Sequence, residues 1–377
     1  MTKLIPITLF SLIFVVLSHK NSDYDSLEGR YLQKERLFYT IMSIGMILFA
    51  GLRTYYNDTG TYRQNYEVLV SADVKLIGEI NWLQIGENPA FEAVQILMKS
   101  WGWPSQNLIM IFSIFTIGTH LWFIRKYSCN LWLSVLIFIT YAGFTLNMAA
   151  IKQCTAMAFG LLATDRVINK KYVQFVVLVL LGALFHPYAL MYLAIPFLFF
   201  RPWSGKTIIM IAVFAIVGFG LERLLGTLLD ITDMIGEEYN ESSFSGQGVN
   251  PIRLAVTVVP ILLSLMTAQQ IQETEEKDQF LLVNLSMLNG EIMFLALFGT
   301  ANYFGRLSHY FLPFQAVTIP WLLKRFDYKS RQNLTIIASI CYMLFFVYSA
   351  AVAERFDYQF RSMSLWNYLK LLFQWEI

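Results

Sequence analysis

Four short stretches carry ionisable or hydrogen-bonding residues where an apolar run begins, ends or breaks. Arg53, Asp58, Tyr62 and Arg63 follow the run ending at Leu52, while Asn147 and Lys152-Gln153 mark the junction of the runs 131–146 and 149–163. His186-Pro187 interrupts the run 172–200, and Asn302, Arg306, His309 and Tyr310 lead into the run 307–323. Ionisable groups at a membrane edge are expensive unless they meet a partner, a ligand or water. Several independent cations on one side therefore point to an anionic ligand, and the forked guanidinium groups of Arg53 and Arg306 suit phosphate oxygens.

Proton transfer needs a group that reaches the proton it moves, and Asp58, Glu87 and His186 are the candidates. Asp58 is the favoured general base. An Asx-turn in Asn57-Asp58-Thr59-Gly60 would also account for it, and Glu87, the competing base, would equally serve the start of a helix near Pro89. His186 beside Pro187 reads either as a substrate or proton group or as a packed ring satisfying a broken-helix carbonyl. Arg306 and Lys152 have snorkelling to headgroups as their alternative. Glu291 lies two helical turns after Asn284 on one face, where a hydrogen bond to a neighbouring helix is expected. Lys and Arg number 28 against 26 Asp and Glu, so no basic face favours nucleic acid. No paired His/Cys spacing indicates a metal, no Gly-rich loop indicates a nucleotide, and no cofactor is called for.

The elements that must position these residues are apolar. The chain of 377 residues is 56% hydrophobic and 14% charged, against roughly a quarter charged in soluble domains, and its mean hydropathy is +0.51. Three cysteines give no support to a disulfide framework. The first run, 4–17, ends Leu17-Ser18-His19-Lys20 without a small-residue cleavage site and is read as a retained span. The expected fold class is all-α, a polytopic helical membrane bundle of about 11 to 12 membrane-embedded helices in a single domain.

Lys and Arg in the loops set the orientation. If 172–200 crosses once, the cluster Lys324, Arg325, Lys329 and Arg331 falls outside; if it enters and returns, the dense basic loops fall inside. Arms of about 14 residues, roughly 20 Å, are also short of a ~30 Å hydrocarbon core. We therefore expect a broken re-entrant pair at 172–200 with His186 near the outer side. External loops are expected at 53–104 and 221–250, the first rich in Tyr and Trp, and an interfacial segment at 354–377.

Gly51-Leu52-Arg53, then Asn57-Asp58-Thr59 with Tyr62, then Glu87-Asn88-Pro89 resemble the first external loop of the EpsG family of Wzy-like polysaccharide polymerases. Lys152-Gln153 before a small-residue helix, Leu184-Phe185-His186, and Arg306 four residues before Tyr310 follow in that family's order. One departure is Lys152, where the family pattern commonly has Arg; charge is kept and the bidentate fork is lost.

The resemblance implies a fold like the membrane C-type glycosyltransferases. It also implies a polymerase of undecaprenyl-diphosphate-linked oligosaccharide repeat units at the outer face of the bacterial cytoplasmic membrane, making exopolysaccharide, capsule or O-antigen. Catalytic Asp58, His186 and Glu87 and substrate-binding Arg53, Tyr62, Lys152, Gln153, Asn302, Arg306 and Tyr310 are the expected site. Partners would be the lipid-linked oligosaccharide, membrane lipids and a chain-length regulator. Alternatives are a lipid-linked oligosaccharide flippase, weakened by a single broken pair without a pseudo-repeat, and an O-antigen-type ligase.

Overall fold

The computed structural model describes residues 2–19, 33–69, 73–220, 249–298 and 301–373. Most of the expected external loop 221–250, and the side chain of Asn302, lie outside the described residues. The architecture is all-α and membrane-protein-like; the one sheet among the described residues is a two-stranded ribbon.

Helices α1 (Leu4–His19) and α2 (Gln33–Gly51) pair, and α2 packs on α5 (Ser105–Tyr127). Between them, α3 (Thr59–Val68) and α4 (Pro89–Ser100) form a cap over one end of the bundle. A separate apolar cluster of Tyr66, Phe91, Met98, Ile109, Phe112 and Ile151 fastens this cap to α5 and to the start of α8 (Ile151–Ile168).

The run 131–146 is not one helix. It breaks after α6 (Leu131–Thr140), where Ala142 takes φ +63°, and restarts as α7 (Gly143–Ala149) bent by 47°. The run 172–200 breaks where expected, into α9 (Tyr172–Ala183) and a tight 3₁₀ arm, Pro187–Leu198, instead of a second α-helix. The first arm rises to the level of Ala156 and Phe159 on α8, where Gly182 meets Ala189 of the second arm. Tyr192 then lies on Gly160, further down α8, so closely that a side chain at 160 would overlap its ring, and the chain therefore returns. Asn284 donates to the carbonyls of Leu198 and Phe200 at 2.8 Å each and ends the returning arm.

After α10 (Gly205–Phe219), Pro260 lies just past a joint between α11 (Pro251–Thr257) and α12 (Val259–Met266). The short α13 (Ala268–Gln272) leads to the buried α14 (Lys277–Leu295). The run 307–323 also divides: Arg306 and His309 end the separate helix α15 (Ala301–His309), and α16 (Leu312–Leu323) begins after Tyr310. The last long helix, α17 (Tyr328–Val347), continues as a π-turn to Ala353.

Among the described residues, only Ser105–Tyr127 and Tyr328–Ala353 are long and apolar enough to cross a membrane alone; a third span results if α6 and α7 count as one. Several other apolar helices have 10–17 residues, below the ~20 a span needs, because proline and positive-φ breaks divide apolar runs that look continuous. Only 22% of the apolar window of Tyr328–Ala353 is buried, which suits a helix facing lipid. The tail past Ala353 is a short helix, a strand and α19 (Leu365–Phe373), following α18 (Phe356–Gln359), and not one interfacial helix. Its strand pairs with Arg53–Tyr55, joining the chain's end to its first polar loop.

Candidate functional site

Arg53 opens the site from below. Its side chain is 1% exposed, and Nη1 donates to the Ala50 carbonyl at 2.6 Å and to Ser113 Oγ at 2.9 Å. Nε donates to Thr59 Oγ1 at 3.0 Å, so all of these bonds hold the loop that carries Asp58 and none points to a ligand. This corrects the expectation of a phosphate-binding Arg53. Arg63 is likewise held, by the Thr54 carbonyl and Ser105.

Above that support lies a cavity of about 350 Å³ lined by Asp58, Tyr62, Lys152, Gln153, His186 and Arg306 together with Arg253 and His309. They come from five parts of the fold. Asp58 is the N-cap of α3, exposed, with no side-chain capping bond, and Asn57 before it takes φ +46°. Lys152 and Gln153 stand in the first turn of α8. Gln153 Nε2 donates to the Arg306 carbonyl at 2.8 Å, which ties α15 to α8, and Lys152 Nζ stands 5.2 Å from the centre of the Phe91 ring. His186 sits at the tip of the re-entrant hairpin, 5.2 Å from the Tyr188 ring and 6.0 Å from Tyr310, with Nδ1 buried and unpartnered. Arg306 is exposed, and among the described residues no hydrogen bond or carboxylate holds its guanidinium.

Electrostatics set the carboxylate apart. Asp58 lies in a polar loop between α2 and α3, where partial desolvation raises its pKa while the Arg306 cation pulls it down. Arg253 Nη2 donates to His309 Nε2, so that nitrogen accepts and the ring proton sits on Nδ1, which is buried without a partner.

A sequence model of the EpsG family matches residues 36–369, nearly the whole chain. The chain belongs to the EpsG family. Comparison with curated proteins and with solved structures returned no match.

For this EpsG-family chain the structure thus brings together Asp58, Tyr62, Lys152, Gln153, His186 and Arg306. Glu87 is on an adjoining cavity, where its Oε1 accepts from Gln84 Nε2 at 2.7 Å, and Tyr310 is buried beneath His186 with its carbonyl accepting from Tyr192. Tyr310 therefore stands under the cavity floor and not on its wall. Of the aromatic residues expected to stack on sugars, Tyr62 lines the cavity, whereas Trp82, Trp101 and Trp103 do not. One residue was overlooked, Arg253, a cation in the first turn of an apolar helix in the same pattern as Lys152; His309, one turn from Arg306, was noted at that span end but given no role in the site. The pattern applied to Lys152 would have found Arg253. Glu291 makes no bond to a neighbouring helix: it is 4% exposed and neither carboxylate oxygen has a partner. Among the described residues no three His, Cys, Asp or Glu side chains converge as metal ligands.

Proposed function

We propose that this EpsG-family chain polymerises undecaprenyl-diphosphate-linked oligosaccharide repeat units at the outer face of the bacterial cytoplasmic membrane, as a single membrane domain with 53–104 and 221–250 external and 354–377 at the interface. EpsG membership suggests a Wzy-like polysaccharide polymerase. The observation that carries the lipid-diphosphate donor is the cavity wall of Arg306, Lys152 and Arg253 facing a single carboxylate, Asp58, with the Arg306 guanidinium bonded to no group among the described residues. A sugar diphosphate fits that balance: two negative phosphates meet several cations, and charge added to the leaving group as the bond breaks is met by groups already in place.

The acceptor hydroxyl gives its proton to the Asp58 carboxylate as its oxygen bonds to the anomeric carbon. The bond from that carbon to the phosphate oxygen breaks, and undecaprenyl diphosphate leaves against Arg306 and Lys152. His186 hydrogen-bonds the diphosphate or relays the proton, and Tyr62 offers a ring face to the sugar. Asp58 is preferred to Glu87 as base because it lines the cationic cavity and Glu87 does not.

Purified protein with a defined undecaprenyl-diphosphate repeat unit tests this reading. A ladder of glycosidically linked units is expected; transfer of one finished chain to another acceptor without a ladder indicates a ligase. The bend between α6 and α7 is a second broken element besides the hairpin, and this favours a lipid-linked oligosaccharide flippase more than one break would. Movement of the lipid across a vesicle membrane with no ladder would replace the polymerase by that transporter.

A further inference from the structure

Beside the cationic cavity is a second, of about 430 Å³, and the two share Asp58, Tyr62, Asn88 and Lys152. Its walls are two facing helices. From α3 and its N-cap come Asp58, Thr61, Tyr62 and Asn65, and from α4 and its N-cap come Asn88, Phe91, Glu92 and Gln95. Both sets follow the spacing i, i+3, i+4, i+7, so each is one continuous helix face turned to the same space. The Ala90 amide donates to the Leu184 carbonyl at 3.1 Å, which fixes the start of α4 to the hairpin that carries His186.

The character of the two cavities differs. Lys152, Arg253 and Arg306 dominate the first; in the second, Asp58, Glu87 and Glu92 face only Lys152. Tyr62, half-buried and 5.4 Å from the buried Phe91 ring, supplies apolar ring surface. The decisive residue is Gln95, which is 8% exposed, lines the cavity, and has an Nε2 with no hydrogen-bond partner. A buried amide N–H left unmade is costly, and a turn of the Gln95 side chain toward the cavity would let a hydroxyl or ring oxygen of a ligand satisfy it.

Resting on the polymerase reading above, we propose that this second cavity binds the accepting sugar, with Gln95 as a specificity residue, and that it takes a neutral or amino sugar and rejects a uronic acid. Asp58, common to both cavities, then lies between acceptor and donor. The amide of Gln95 donates to a sugar oxygen, the Tyr62 ring takes the apolar sugar face, and the carboxylates accept from hydroxyl or ammonium groups while repelling a ligand carboxylate.

The full chain in nanodiscs, with methyl glycosides of glucose, glucosamine and glucuronic acid and their galacto counterparts as probes, tests this by saturation-transfer NMR. Neutral and amino glycosides should bind at least roughly tenfold more tightly than the uronates. Gln95→Ala should weaken the neutral glycosides by roughly tenfold. Glu92→Gln, on an exposed position with little bearing on folding, should bring uronates within about threefold of the neutral sugars. Uronates binding as well as glucosides, unchanged binding in both variants, or no binding by any glycoside would overturn the assignment. A ladder without charge discrimination removes this inference and leaves the polymerase; discrimination without a ladder keeps the sugar site and removes the polymerase.

Discussion

The two ends of the bundle treat charge in opposite ways. At the end where α5 and α8 finish, Asp165 is buried and receives Lys126, Arg166 and the Tyr127 hydroxyl, the last at 2.7 Å. Nearby on the same side, Arg201 meets Glu275 and Arg325 meets Glu276. At the end where α8 begins, Arg306 faces Asp58 across the cavity but among the described residues forms no ion pair with a carboxylate, Arg253 spends its bond on a neutral histidine, and His186 keeps a buried nitrogen without a partner. Paired ions hold a structure together, whereas a cation without an ion-pair partner at a cavity wall is poised for a charge that arrives from elsewhere.

The largest effect should come from the carboxylate at the poised end. Asp58→Asn should lower polymer formation about 100-fold or more, the usual contribution of a positioned base, with little change in donor binding. A variant that makes full polymer would pass the role of base to Glu87. Next comes Arg306→Ala, which removes a charged hydrogen bond to the ligand and should cost about 30-fold in activity at equal protein level, with weaker binding of the lipid-linked donor. Arg306→Lys should also be impaired, since a point charge does not reproduce the planar fork. Full polymer from Arg306→Ala would reduce the residue to a membrane anchor and erase the contrast between the two ends.

A pH profile sharpens the same contrast. Burial holds the Asp58 pKa above its ordinary value and Arg306 opposes that shift, so the base form is lost as pH falls through a raised pKa. The acid limb of activity should therefore lie above the ~3.9 of a free aspartate. In Arg306→Gln the opposing cation is gone, and the limb of the residual activity should move to still higher pH; a move to lower pH would mean that the limb belongs to another group.

At the paired end the expected effect is on stability alone. Asp165→Asn should destabilise the protein by ~1–3 kcal/mol, toward the low end because Lys126 is partly solvated, while activity per folded molecule stays unchanged. A loss of activity in the folded variant would break the division of labour. The smallest change is expected from Lys152→Arg, which keeps the cation beside Phe91 and should hold activity within about threefold.

Much of this was legible in the sequence because its causes are local. Apolar runs had to become helices, since a backbone in lipid must satisfy its own hydrogen bonds, and His186-Pro187 had to interrupt one of them, since proline lacks the donor that continues a helix. Cations at the starts of apolar runs marked Lys152 and Arg306. Local reading could not show that Arg53, with the same chemistry as Arg306, donates to Ala50, Ser113 and Thr59, which lie on α2, on α5 and at the start of α3. Nor could it divide one polar face into a cationic and an acidic cavity, or leave Gln95 and Glu291 buried without partners. Residue type and spacing determined which groups were available for binding and catalysis. The packing of helices far apart in the chain decided which of them stay free, because a hydrogen-bond partner is a matter of distance in space and not along the sequence.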